Sequence, residues 1–214
     1  MRIDILTLFP EVFEPYINTS IVGRAQKEHH ADIHLWNIRD YSLDERGTVD
    51  DTPYGGGAGM VMKIEPIHKA LQVVSSKFTA DSSKTRIIVL SARGTQFTQS
   101  KAQEYSKLDH LIFICGRYEG IDQRVADNLA DEEISVGPYV LAGGELPAMV
   151  VAEAAIRLIP GVLGNPESLV HESHSLSTSI EAPQYTKPEE YNGWKVPDVL
   201  LSGNHSAIEK WRNQ

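Results

Sequence analysis

Leu111-Ile-Phe-Ile-Cys-Gly-Arg-Tyr-Glu-Gly120 and Ile134-Ser-Val-Gly-Pro-Tyr-Val-Leu-Ala-Gly-Gly-Glu145 are apolar runs that each empty into a glycine-rich loop. Glycine just beyond a buried strand lets the backbone approach a ligand, so that amides and carbonyls can bond it directly. Two such loops close together, the second feeding an apolar helix, predict a single pocket walled by both. Taken alone, the same residues also suit two tight turns in an α/β domain.

Working outward, strand and helix signals alternate over the first two-thirds of the chain. Apolar runs predict strands at Arg2–Leu8, Ile33–Ile38, Arg86–Leu90, Leu111–Ile114 and near Ile134. Helical spacing predicts helices at Pro10–Tyr16, Glu65–Val74, Thr98–Lys107, Ile121–Leu129 and Glu145–Ile159. This order implies an α/β fold with a mostly parallel sheet covered on both faces. Residues 1–164 read as the main domain. Residues 165–182, with five Ser and one Thr, have the composition of a flexible connector. Residues 183–214 contain one short helix from about Ser206 and are too few to bury a core of their own.

Composition narrows the function classes. A hydrophobic content of 41% and a charged content of 23% over 214 residues suit an ordinary globular chain. No apolar run approaches the roughly twenty residues of a membrane span. The strand-like start and the single cysteine, Cys115, suggest a reducing cytoplasm, and Cys115 reads as a buried structural thiol. The net charge of −9 favours a small-molecule enzyme over a nucleic-acid binder. An RNA partner requires Lys and Arg to cluster on one face; the candidates are Arg24, Lys27, Arg39, Lys187, Lys195, Lys210 and Arg212.

Several longer motifs carry a resemblance. Thr48-Val-Asp-Asp-Thr-Pro-Tyr-Gly-Gly-Gly-Ala-Gly-Met, Cys115-Gly-Arg-Tyr-Glu-Gly-Ile-Asp, Val136-Gly-Pro-Tyr-Val-Leu-Ala-Gly-Gly-Glu-Leu-Pro-Ala, Ile159-Pro-Gly-Val-Leu-Gly and Leu200-Leu-Ser-Gly-Asn-His occur in that order. Together they resemble the bacterial tRNA (guanine-N1)-methyltransferases, the TrmD family of the SPOUT superfamily, from Met1 to about Arg212. The resemblance implies an S-adenosyl-L-methionine pocket in a C-terminal trefoil knot and a homodimer with each site shared across the interface. It also implies a cytoplasmic enzyme whose substrate is the guanosine immediately 3′ of the anticodon. The family continues into a larger helical C-terminal domain, so residues 183–214 read as a short or truncated version of it.

Site residues follow from the same match. Three cofactor-facing segments are implied: Leu90, Ser91 and Ala92; Gly116, Tyr118 and Glu119; and Val136, Gly137, Pro138, Tyr139, Val140, Leu141, Gly143 and Gly144, with Pro147 beyond. Glu119 is read as a partner of loop amides or a neighbour of the cofactor or of Mg2+, with no chemical step. The Asp50–Met60 loop lacks both the Gly-Lys-Ser/Thr of a phosphate loop and the dinucleotide spacing. In the family it borders the target guanine, which makes Asp50, Tyr54 and Gly59 substrate-binding candidates. Arg157, otherwise a cation suited to a helix end, matches the arginine that stabilises guanine O6. Glu172 aligns with the family's catalytic aspartate and is the expected base. His171 and His174 are rival bases, since histidine titrates near ~6.5. His171-Glu-Ser-His174 is one residue too short for the zinc spacing His-Glu-x-x-His, so no metal is assigned. A catalytically weak RNA-binding relative and a small-molecule methyltransferase are the alternatives.

Overall fold

The computed structural model describes residues 1–77, 81–169, 172–174 and 181–212, with no side-chain account of 166 and 167. It divides into two compact units, Met1–Gly164 and Asn165–Gln214.

The first unit begins with β1 (Arg2–Thr7), a short turn of helix at Pro10–Val12, α1 (Glu14–Ile17), α2 (Ser20–Lys27) and β2 (Asp32–Asn37). A small hairpin follows, β3 (Asp50–Asp51) with β4 (Val61–Met62), and then α3 (Ile64–Lys77), β5 (Thr85–Gln96), α4 (Gln99–Tyr105) and β6 (His110–Cys115). The unit ends with α5 (Gln123–Asn128), β7 (Glu132–Ser135) and α6 (Glu145–Ile156). The order in the main sheet is β2-β1-β6-β5-β7. Every pairing in it is parallel.

Side-chain alternation explains why these strands look apolar throughout. Along β6, Leu111, Phe113 and Cys115 enter the core on the α2–α4–α6 side, while Ile112 and Ile114 enter the core under α3 and α5. Ile3 and Ile5 of β1 and Ile88 and Leu90 of β5 join the first core; Leu6 and Val89 join the second. Neighbouring residues point to opposite faces and both faces are covered, so there is no solvent side to read as polar. Burying each such side chain stabilises the fold by roughly 1.5–3 kcal/mol.

Asp4, like Thr7, is a buried polar residue in β1. It is fully buried, and takes hydrogen bonds from Arg2 Nε (2.7 Å) and Trp36 Nε1 (2.6 Å) while His110 Nε2 lies 2.6 Å away. Burial pushes its carboxyl up, but the bonds from His110, Arg2 and Trp36 outweigh it and hold the pKa at about 2.

Expected and observed elements differ at several places, the unexpected β3–β4 hairpin among them. β5 runs to Gln96, six residues past its expected end. α2 was not announced by the pattern. The last helix of the unit stops at Ile156, so Arg157 is its C-cap, where its backbone N–H bonds the carbonyls of Ala155 and Glu153.

The second unit holds the hairpin β8 (Glu190–Tyr191) and β9 (Trp194–Lys195), then α7 (Asp198–Leu201) and α8 (His205–Arg212). Asn192 and Gly193, both at positive φ, make the hairpin turn. Asn-Gly between Tyr191 and Trp194 is the sequence signal for such a turn. Tyr191, Trp194 and Leu201 remain exposed, as expected for so short a chain segment.

Candidate active site

The C-terminal ends of β5, β6 and β7 open onto a cavity of about 410 Å³, within the range of sites for small ligands. Crevices at this edge of a parallel sheet are where α/β folds place ligands.

Each wall has a local cause. β5 pairs with β7 as far as Leu90–Ile134 and resumes at Thr95–Ile134, so Ser91–Gly94 is looped out of the ladder. That bulge brings Ser91, Ala92 and Arg93 into the lining. It rejoins the sheet just after Gly94, where a Cβ would lie 2.5 Å from the backbone of Glu133 and Ile134.

The second wall is the turn after β6. The Gly120 amide bonds the Arg117 carbonyl at 3.1 Å, and Tyr118 and Gly120 both have positive φ. The turn is stitched to the glycine loop and to β4, since the Glu119 amide bonds Met60 O at 3.0 Å and the Met62 amide bonds Gly120 O at 2.9 Å.

The third wall runs from Val136 to Pro147. The Gly144 amide bonds the carbonyl of Gly116 at 2.9 Å, which closes this wall against the second. A Cβ on Gly144 would sit 2.7 Å from the Cys115 backbone, and one on Gly143 would run into Arg117 and lie 2.5 Å from Glu145 Oε2. These glycines make close backbone approach possible.

The structure brings together Leu90, Ser91, Ala92, Gly116, Tyr118, Glu119, Val136, Tyr139, Val140, Leu141, Gly143, Gly144 and Pro147 around one cavity. Gly137 and Pro138 do not line it. Gly137 lies beneath the Tyr139 ring, and its amide and carbonyl are held by the Ser135 hydroxyl. Asp50, Tyr54 and Gly59 are outside the lining: Asp50 is in β3, Tyr54 is fully exposed, and Gly59 packs on the Glu119 side chain. Cys115 is fully buried, and burial, then Glu145, raise its thiol pKa well above normal against the pull of Arg117. A thiol so protonated is structural.

Arg157 is at the opposite end of α6 from the cavity. Thirteen residues separate it from Gly144, which is about 20 Å along the axis at about 1.5 Å per residue. Glu172 belongs to the second unit and is partly buried; His174 is exposed, with φ of 67°. His171 lies outside the described residues. Among the described residues no cluster of three or more His, Cys, Asp or Glu is arranged for a metal ion. Of the candidate cations, Arg39 reaches the cavity wall, donating to the Tyr118 hydroxyl at 3.3 Å, and Arg24 is engaged with the Val162 carbonyl at 2.7 Å. Arg93, Arg117 and Glu145 went unassigned in the sequence; the first two line the cavity and the third is buried behind it.

The fold and cavity define a parallel α/β protein with a glycine-walled pocket at the carboxyl edge of its sheet, sized for a small ligand. Comparison with known proteins specifies more. A family model described as tRNA (Guanine-1)-methyltransferase TrmD matches residues 1–214. A tRNA (guanine-N(1)-)-methyltransferase of Brevibacillus brevis is 50% identical over 212 residues, covering 99% of this chain and 85% of the relative. The Bacillus subtilis enzyme of the same name is 49% identical over 214 residues, covering 100% of this chain and 86% of the relative. A crystal structure of tRNA (m1G37) methyltransferase from Aquifex aeolicus superposes with a TM-score of 0.81 at 38% identity, covering 99% of this chain and 87% of that one. The chain belongs to the tRNA (guanine-1)-methyltransferase TrmD family.

Proposed function

We propose that the protein methylates N1 of the guanosine immediately 3′ of the anticodon in tRNA, with S-adenosyl-L-methionine as methyl donor. The observation that carries this reading is the cavity made where three strand ends meet, in a chain that matches the family over its full length. The cavity fits the cofactor on its own terms: Gly143 and Gly144 leave no space for a Cβ, so backbone faces the space where an adenosine would lie. Leu90, Val136, Leu141 and Pro147 supply apolar surface for its ring, and Ser91, Gly116 and Gly144 belong to the same lining. When bound, the cofactor supplies an electrophilic methyl group on sulfur.

The remaining chemistry falls to the chain. Loss of the N1 proton leaves negative charge spread to guanine O6. The Arg157 guanidinium is assigned to stabilise that charge and the Glu172 carboxylate to take the proton. The Asp50–Met60 loop, stitched to the cavity wall through Met60 and Met62, is assigned to the target base through Asp50, Tyr54 and Gly59. No step is assigned to Mg2+.

The working form is a homodimer whose sites are shared. Reacting groups must come within about 3–3.5 Å. Arg157 is about 20 Å from its own cavity end of α6, so this reading pairs each cavity with Arg157 and Glu172 of the other subunit. Leu146 and Val150, on one face of α6, are 58% and 50% exposed, and this apolar face supports a second copy packing there. Residues 1–164 form the cofactor domain in this scheme, 165–182 the connector and 183–214 the small helical segment. No described helix is long and apolar enough to cross a membrane. A cytoplasmic setting, where tRNA is available, completes the reading.

The test is methyl transfer to a tRNA transcript carrying guanosine at that position and to one with it replaced. Incorporation into the first alone is expected. Equal incorporation into both, or methylation of free nucleosides only, would overturn the assignment.

A further inference from the structure

Behind the cavity, four residues form a closed ring of contacts between segments far apart in sequence. Glu145, the first residue of α6, is 2% exposed. Its Oε1 accepts from the Thr7 hydroxyl at 2.8 Å, and its Oε2 accepts from Arg117 Nε at 3.0 Å. The Thr7 hydroxyl oxygen in turn accepts from the Phe9 amide at 3.0 Å. The Phe9 ring closes the circuit, because the Arg117 guanidinium lies 4.6 Å above its centre. The ring therefore ties the end of β1 to the turn after β6 and the start of α6. Those last two segments are adjoining walls of the cavity.

We propose that Glu145 is a positioning residue for cofactor binding: through Arg117 and Thr7 it holds the Gly116–Glu119 and Leu141–Gly144 walls at the spacing the cofactor needs. This deepens the methyltransferase reading and rests on that cavity being the cofactor site. Glu145 does not line the cavity, so its effect passes through Arg117, which does. Three features favour placement over simple packing. The carboxylate uses both oxygens on partners from two different segments, a geometry that a single ion pair does not require. It sits at a helix N-terminus, where negative charge is stabilised, so the anchor is fixed by backbone as well as by its partners. A Cβ on Gly143 would stand 2.5 Å from Glu145 Oε2 and 2.7 Å from Arg117 Cδ, so this residue of the cavity wall packs directly on the pair.

The ring has a direct consequence for which kinetic constants respond. Glu145→Gln keeps size and a hydrogen-bonding end but removes the charge that orients Arg117. Arg117→Met keeps a similar stem and removes the guanidinium. Each is expected to weaken S-adenosylhomocysteine binding, read by calorimetry, by about tenfold, the size of coupling found for contacting groups. KM for the methyl donor should rise to match, with KM for tRNA unchanged. Because the two act as one device, the double variant should lose no more affinity than the worse single. Glu145→Asp, which keeps the charge, should recover part of the loss.

Wild-type protein that fails to bind S-adenosylhomocysteine would overturn the cavity assignment itself and this inference with it. Normal wild-type binding separates the two questions. If the variants then bind as wild type does and differ only in melting temperature, Glu145 serves stability alone and the positioning role is wrong. Additive losses in the double variant would likewise show that the residues act independently and overturn the ring as a unit. A variant too unstable to assay at 25 °C is measured at lower temperature against wild type at the same temperature, and the same outcomes decide.

Discussion

A base that removes the guanine N1 proton needs a lone pair at hydrogen-bond distance and a pKa below the working pH in its resting state. Glu172 offers the lone pair, with one methylene more than the aspartate to which it aligns in the family. Its neighbours His171 and His174 offer imidazoles. Glu172→Gln preserves shape and removes the acceptor, so methyl transfer should fall by roughly 10²–10⁴ while cofactor binding stays normal. Glu172→Asp should remain active, and His174→Asn should cost far less than the Gln change. Single-turnover rates with saturating tRNA make the comparison. A near-normal rate in Glu172→Gln with collapse in a histidine variant would transfer the role to that histidine. Such roles are legible in sequence only through motif matching, because a serine-rich connector has no periodicity to place its side chains. The Arg117–Glu145 pair is hidden for a different reason. The two residues are 28 apart and belong to separate elements, and nothing local announces that one side chain will be folded onto the other.

At the scale of elements, the bulge in β5 is what turns a sheet edge into a cavity wall. Looping out Ser91–Gly94 removes ladder bonds, and the strand recovers them only if its backbone can return against β7. Gly94 permits that return, since a Cβ would stand 2.5 Å from the Glu133 carbonyl and the Ile134 amide. Gly94→Ala must therefore push β5 and β7 apart or flatten the bulge. The expected outcome is a lower melting temperature, by several degrees for each kcal/mol lost, together with weaker cofactor binding, because Ser91–Arg93 move with the bulge. Scanning calorimetry with and without S-adenosylhomocysteine checks both. An unchanged melt and unchanged ligand-induced stabilisation would mean that the backbone accommodates the methyl group. The same bulge explains why the strand was readable only as Arg86–Leu90. Its apolar run does end there, while the return to the sheet through Thr95 and Gln96 is made by backbone pairing, which leaves no hydrophobic trace. The strands of the doubly covered sheet were legible because both faces demand apolar side chains. The short α2 was not, with a glycine inside it at position 23 and only eight residues in all.

For the whole molecule, the proposed function requires a cavity at one end of α6 and an arginine at the other to serve one reaction. A single copy separates them by about 20 Å of helix. Two copies related by a two-fold axis solve this when the cavity of each faces the Arg157 end of the other, because every contact is then made twice by the same surface. The exposed apolar face at Leu146 and Val150 is a surface that a lone copy of the first unit would leave in water. Mixing two dead variants tests the arrangement. Gly143→Val, with no room for its side chain against Arg117 and Glu145, should destroy the cavity. Arg157→Ala leaves the cavity intact and removes the charge proposed to stabilise O6. Each homodimer should be inactive. After the two are unfolded together and refolded in equal amounts, half of the dimers are mixed, and each mixed dimer has one site with a sound cavity and a sound arginine. Activity should return to about a quarter of wild type if the sites are shared between subunits. If cavity and arginine act within one chain, no site in any dimer is whole and activity stays at zero. That result, or light scattering showing an active monomer of 23.7 kDa, would end the shared-site reading.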